Sequence, residues 1–290
     1  IGVKIVTPIT GMTFTEDKEL NQLGYGQEYQ IKYTLEPVDA TASLLTWTSD
    51  NPDMISVDKT GKLKVHTTKT ASAVITASYG PVVQNVTVTV ADGRFWYSLG
   101  NGLGNGQDNN WYLDGNGASV VSSDGKKTIV QMGSGYRGDL WLARSGKGKV
   151  VNVTPADYRY FAIKVGFKSQ LVPGNNKPNG CIKLEIFDDG IKKIGPEYFG
   201  TGGDANNRYE ILGASEISTT EPNVLYYDLQ SKYKTVTPTD WNQVFDLAQC
   251  KFVIADFPET AQTYDLYWIR SFKSIEELQA FVDSENNTNE

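Results

Sequence analysis

The stretch Leu45-Thr46-Trp47-Thr48-Ser49-Asp50-Asn51-Pro52-Asp53-Met54-Ile55-Ser56-Val57-Asp58-Lys59-Thr60-Gly61-Lys62-Leu63-Lys64-Val65 decides the fold. It holds three short runs in which apolar and polar residues alternate. Turn signals separate them: Asp50-Asn51-Pro52-Asp53 after the first, Lys59-Thr60-Gly61 between the other two. Alternation with a period of two marks half-buried strands, and a three-residue break ending in Gly reads as a hairpin.

The same pattern extends in both directions. Upstream, Gln27 to Leu35 places Tyr29, Ile31, Tyr33 and Leu35 on one face and stops at Glu36-Pro37. Downstream, Ala73 to Ala77 and Val86 to Val90 add two more strands, and no helical period interrupts residues 1–91. Short strands at a spacing of roughly ten residues predict a β-sandwich. Trp47-Thr48-Ser49-Asp50-Asn51-Pro52, Ile55-Ser56-Val57-Asp58 with Gly61-Lys62-Leu63, and Ala73-Val74-Ile75-Thr76-Ala77 together resemble the bacterial Ig-like domain of group 2. The resemblance implies an Ig-like sandwich over 1–91 that acts as a stalk or spacer, with Trp47 in its core.

Composition narrows the function classes. A chain of 290 residues has room for two domains. A net charge of -7 argues against nucleic acid as partner, since such binders carry a basic patch or stripe. Neither an 18-residue apolar run nor a basic-then-apolar leader occurs. The expectation from Ile1 is that an export signal or lipid anchor was removed ahead of it, so that any membrane attachment would be through that anchor alone. The single histidine, His66, falls in the first domain and reads as a surface residue, so the second has no Ser-His-Asp or Cys-His pair. Cys181 and Cys250 each open an apolar run and read as two buried thiols on neighbouring strands, with a disulfide as the alternative.

Composition shifts at Ala91-Asp92-Gly93, and residues 92–290 carry five of the six tryptophans. Strand patterns recur at Lys127 to Met132, Leu140 to Ala143, Tyr160 to Phe167, Cys181 to Phe187, Val224 to Leu229, Lys251 to Asp256 and Tyr264 to Phe272. The fold class is therefore all-β, with a jelly-roll sandwich over 92–290 following the Ig-like one. Two short helices are expected, over 239–243 and from Ser274, which caps and is followed three residues later by Glu277. The polar tail from Ser284 onward is expected to fray.

Between Phe95 and Asp114 an aromatic strand runs into a loop of Gly, Asn, Gln and Asp and closes on Trp111-Tyr112. Such a loop builds no core, but with flat aromatic faces beside it it suits the rim of a sugar site. Rings cover the apolar faces of pyranoses while amides, carboxylates and guanidinium groups bond the hydroxyls. Candidate ligand-binding residues are Trp111 with Asn110; Trp141, which alternation turns away from Leu140 and Leu142 and toward Arg137 and Asp139; Trp241; and Tyr209. A second rim lies at Tyr198-Phe199 and the loop 200–208. Asp114-Gly115-Asn116-Gly117 and Asp188-Asp189-Gly190 offer oxygen ligands, which leaves a structural calcium open although neither has EF-hand spacing. No catalytic residue and no other cofactor is assigned.

Tyr267-Trp268-Ile269-Arg270-Ser271-Phe272-Lys273-Ser274-Ile275-Glu276-Glu277-Leu278, Tyr136-Arg137-Gly138-Asp139-Leu140-Trp141 and the domain order resemble the C-terminal domains that follow Ig-like spacers in surface glycan-binding lipoproteins of Bacteroidetes. The resemblance implies an outer-surface protein that holds a polysaccharide beside an outer-membrane importer. A linear hemicellulose such as xylan is the expected ligand, because linear chains fit open rims. Two rival classes stand beside it. A glycoside hydrolase would need two carboxylates across the scissile bond. Glu185, Asp188, Asp189, Glu197 and Glu210 supply carboxylates, but the Glu-x-Asp-x-x-Glu strand pattern is absent. A structural adhesin would use both sandwiches for protein contacts.

Overall fold

The computed structural model describes all residues except 1–5, 107–109, 115–116, 135–136, 144–150, 169–180, 189–208, 231–239, 256–262 and 288–290. The chain divides into two units, Ile1–Asp92 and Gly93–Glu290. The first contains β1 (Gly11–Phe14), β2 (Leu23–Tyr25), β3 (Glu28–Gln30), β4 (Tyr33–Glu36), β5 (Thr46–Ser49), β6 (Ile55–Val57), β7 (Lys62–Val65), β8 (Ala71–Tyr79) and most of β9 (Val82–Ser98). The second contains the end of β9, then β10 (Tyr112–Leu113), β11 (Ser119–Ser123), β12 (Thr128–Gln131), β13 (Leu140–Ala143), β14 (Val151–Val153), β15 (Tyr160–Phe167), β16 (Cys181–Asp188), β17 (Glu210–Ile211), β18 (Asn223–Asp228), β19 (Phe245–Ala255), β20 (Thr263–Phe272) and a helix, α1 (Ile275–Asn287). Among the described residues the elements are strands, joined in antiparallel ladders in both units, apart from α1 and two 3₁₀ turns, so the chain is all-β.

In the first unit β6 and β7 form the expected hairpin, and β3 joins β7 on its other edge. Trp47 is 8% exposed and shares a core with Leu63, Ile75 and Val88. Gly61 closes the hairpin at φ +82, and a Cβ there would lie 2.6 Å from the Trp47 ring, so the turn requires glycine on both counts. The expected strand from Gln27 to Leu35 is two strands with different partners. Ile31 N–H still bonds Gly61, continuing the β3–β7 ladder, whereas Lys32 already accepts from Thr15 and leads into the β1–β4 pair. His66 is half-buried, with Nε2 2.8 Å from the Ser56 hydroxyl, and desolvation lowers its pKa.

The second unit is a sandwich of two sheets. In one, β13 and β14 pair with successive lengths of β19, β16 pairs along its opposite edge, and β10 extends the sheet beyond β13. In the other, β17, β18, β15 and β20 lie in that order, and the far edge of β20 is taken first by β12 and then by Trp96–Ser98 of β9. Phe252 from the first sheet meets Phe161 and Tyr227 from the second, with ring centres 5.8 Å apart in both cases. Cys250 is a free buried thiol. It stands opposite Ile186 while Cys181 stands opposite Ala255, a five-residue offset of roughly 17 Å along the ladder, beyond the reach of a disulfide.

Two local expectations are corrected. Residues 241–243 form a bend in place of a helix, because Asp240 caps only an Asx turn by accepting from Asn242 N–H. The helix after Ser274 forms, with Ser274 Oγ accepting from Glu277 N–H and Glu277 reaching back to Lys273 N–H, but it continues to Asn287 where fraying was expected. The reason is Glu285, whose Oε2 accepts from Lys164 and from Trp268 Nε1, both at 3.1 Å.

Candidate functional site

On β13, Leu140 and Leu142 are buried in the sandwich, so alternation sends Trp141 to the outer face. Register does the rest. Trp141 stands opposite Tyr112 on β10 and Lys251 on β19, and Lys251 stands opposite Glu185 on β16. One row across four strands therefore reads Tyr, Trp, Lys, Glu. Lys251 Nζ sits 4.5 Å from the Trp141 ring centre, 2.9 Å from Glu185 Oε2 and 3.7 Å from Asp139 Oδ2. Arg137 clamps Asp139 with two bonds, Nε to Oδ1 at 2.8 Å and a second through its terminal nitrogen at 2.5 Å. Gln249 donates to Glu185 Oε2 at 3.0 Å.

Asp139, Glu185 and Lys251 are 4%, 7% and 8% exposed, while Trp141 and Arg137 remain partly open. Two carboxylates balance two cations in a largely desolvated cluster bordered by a half-open indole. Chemically it offers a flat apolar face, a guanidinium edge, and hydrogen-bonding groups whose geometry is fixed in advance. That combination suits a neutral, hydroxyl-bearing ligand.

The structure thus brings Trp141, Arg137 and Asp139 together and leaves the other candidates elsewhere. Trp111 is a correction: it is 0% exposed and packs on Phe252 at 5.6 Å. Pairing of Tyr112 with Trp141 puts Tyr112 on the outer face, which turns its neighbour inward. Asn110 is half-buried, and its Oδ1, like Trp111 Nε1, is buried without a hydrogen-bond partner. Trp241 is half-buried against Phe245, six residues and roughly 20 Å along β19 from Lys251. Tyr209 directly precedes β17 of the other sheet and lies edge-on to Tyr227 at 6.4 Å, where burial pushes its phenol pKa up. Tyr198, Phe199 and the loop 200–208 lie outside the described residues, as do Gly115, Asn116, Asp189 and Gly190. Among the described residues no group of three or more His, Cys, Asp or Glu side chains is arranged to hold a metal.

Lys251, Gln249 and the structural part of Glu185 escaped the sequence reading. Their signal was a pair of polar residues at alternate places on each strand, Lys183 and Glu185 on one and Gln249 and Lys251 on the other, which marks one polar face on each.

Residues 99–278, the span holding this cluster, match a family described as Domain of unknown function (DUF4979). The chain belongs to that family. No curated protein matches it. Among solved structures it is similar to that of the CBM51-2 and INT domains from Clostridium perfringens ZmpB, at 10% identity and a TM-score of 0.21, covering 89% of this chain and 48% of that one. The chain thus spans about half the length of that structure, and the superposition is too loose to carry either fold or function across. The site in the DUF4979 region is read from its own residues.

Proposed function

We propose that the DUF4979 region is a non-catalytic glycan-binding domain and that the first unit is a group 2 Ig-like spacer. The single observation that carries the reading is the half-open Trp141 ring held beside Lys251 and the Arg137–Asp139 clamp on the outer face of a sheet. An aromatic platform with preset polar partners fits a saccharide, and the balanced charge fits an uncharged one. Linear chains fit an open rim, so the ligand would be a linear hemicellulose such as xylan, and through the resemblance of its terminal motif the protein would hold it at the cell surface, lipid-anchored, for an outer-membrane importer. Binding without hydrolysis is favoured by the carboxylates themselves, because Asp139 and Glu185 are both engaged by cations and desolvated, where a glycosidase needs them flanking an accessible bond.

Electrophoresis through gels containing xylan, glucomannan or mixed-linkage glucan tests the reading. Wild-type protein is retarded by at least one of these, and Trp141→Ala migrates as in a sugar-free gel with its melting temperature nearly unchanged. Full retardation of Trp141→Ala refutes the site, and release of reducing sugar from the same polysaccharides refutes the non-catalytic assignment.

A further inference from the structure

The outer face of the second sheet carries an opening of its own, created by one extra residue. Lys164 of β15 stands opposite Trp268 and Val165 opposite Leu266, so Tyr267 has no partner and β20 bulges there. Leu266 and Ile269, both 0% exposed, consequently share the inner face, while Tyr267 and Trp268 come out on the other side in succession. Helix α1 crosses that side, and its Phe281 packs on Trp96, Trp268 and Phe272.

Between α1, the bulge and the segment from Ile211 to Val224 lies a cleft of about 1010 Å³. Tyr267 forms an aromatic wall, with Lys164 Nζ 5.7 Å from its ring centre. Deeper in, Lys164 and Trp268 Nε1 converge on the same oxygen of Glu285. The charged lining balances, with Lys126, Lys164 and Arg270 set against Glu221, Asp283 and Glu285. A ligand of either net charge meets no complementary surplus here. One that is uncharged, rich in hydroxyls and flat on one side matches donors, acceptors and ring together, and the volume is that of a small-molecule site at the upper end of the usual range.

We propose that this cleft is a second glycan site, taking a segment of neutral oligosaccharide against Tyr267. The proposal rests on the reading of the DUF4979 region as a glycan binder. Because Phe161 and Phe252 meet between the sheets, the Trp141 cluster and the Tyr267 cleft lie on opposite outer faces of one sandwich. A single short segment cannot touch both, so two sites hold two stretches of polysaccharide and bind a long chain by avidity.

The indole N–H signals of the ¹⁵N-labelled full chain, assigned by single Trp→Phe exchanges, separate the two sites during titration with xylohexaose, cellohexaose and mannohexaose. The expected result is movement of both the Trp141 and the Trp268 signals by at least one of these, with two molecules bound per chain by calorimetry. Tyr267→Ala then loses the Trp268 shift and keeps that of Trp141, Tyr267→Phe restores it, and Trp141→Ala keeps the Trp268 shift. Movement of Trp141 alone with one molecule bound overturns the second site and leaves the glycan reading standing. Movement of Trp268 alone overturns the Trp141 site and leaves this one, and silence of both with all three sugars overturns both.

Discussion

The two units handle charge in opposite ways. Among the described residues, every charged side chain under one-tenth exposed lies in the second unit: Arg94, Asp139, Glu185, Lys251 and Asp265. In the first, ion pairs such as Lys32–Asp17 and Lys62–Glu28 sit at the surface, with the lysines 65% and 45% exposed. Desolvating ions costs free energy that pairing seldom more than offsets, so a buried ionic cluster is a poor device for stability alone. The first unit is built like a spacer, with an apolar interior and solvated charge. The second keeps prearranged polar groups where a ligand, and not water, would meet them.

Three substitutions press on that contrast. The largest effect belongs to Trp111→Ala, which empties a fully buried site beside Phe252 and should destabilise the second unit by about 4 kcal/mol in denaturant unfolding. A loss under about 1 kcal/mol would return Trp111 to the surface and reopen it as a platform. Next comes Lys251→Met, which leaves Glu185 and Asp139 without their shared cation and should cost about 3 kcal/mol, since Arg137 and Gln249 compensate only in part. No change in the denaturation midpoint would show that the cluster is solvated after all, and the contrast between units would fail. The smallest effect is that of Lys32→Ala in the first unit, under about 1 kcal/mol and weaker still in high salt, because that pair is exposed.

How far the chain could be read in advance differs along the same division. In the first unit short turns fix register, so the hairpin of β6 and β7 and the burial of Trp47 follow from local pattern. Only the change of partner at Ile31 and Lys32 needed long-range information. In the second, parity along β13 was enough to group Trp141, Arg137 and Asp139, because all three lie within five residues of one another. Trp111 went the other way, since neighbours in regular alternation face opposite sides and only the pairing of Tyr112 with Trp141 decides which of the two turns in. Lys251 and Glu185 come from strands far apart in sequence, and only the β16–β19 register sets them directly opposite each other. The persistence of α1 likewise depended on a contact from Glu285 to strands more than a dozen residues away.

The unpaired residue in β20 also limits how this strand can change. Its two halves read in different phases, and Tyr267 is the step between them. Delete that one position and plain alternation returns, with Leu266 inward, Trp268 outward and Ile269 inward, so the core and the helix contacts keep their phase while the cleft loses its ring. Regular pairing with Tyr267 retained would instead turn Trp268 inward and Ile269 outward, so a slip of register, and not the loss of a residue, is what the strand cannot accommodate.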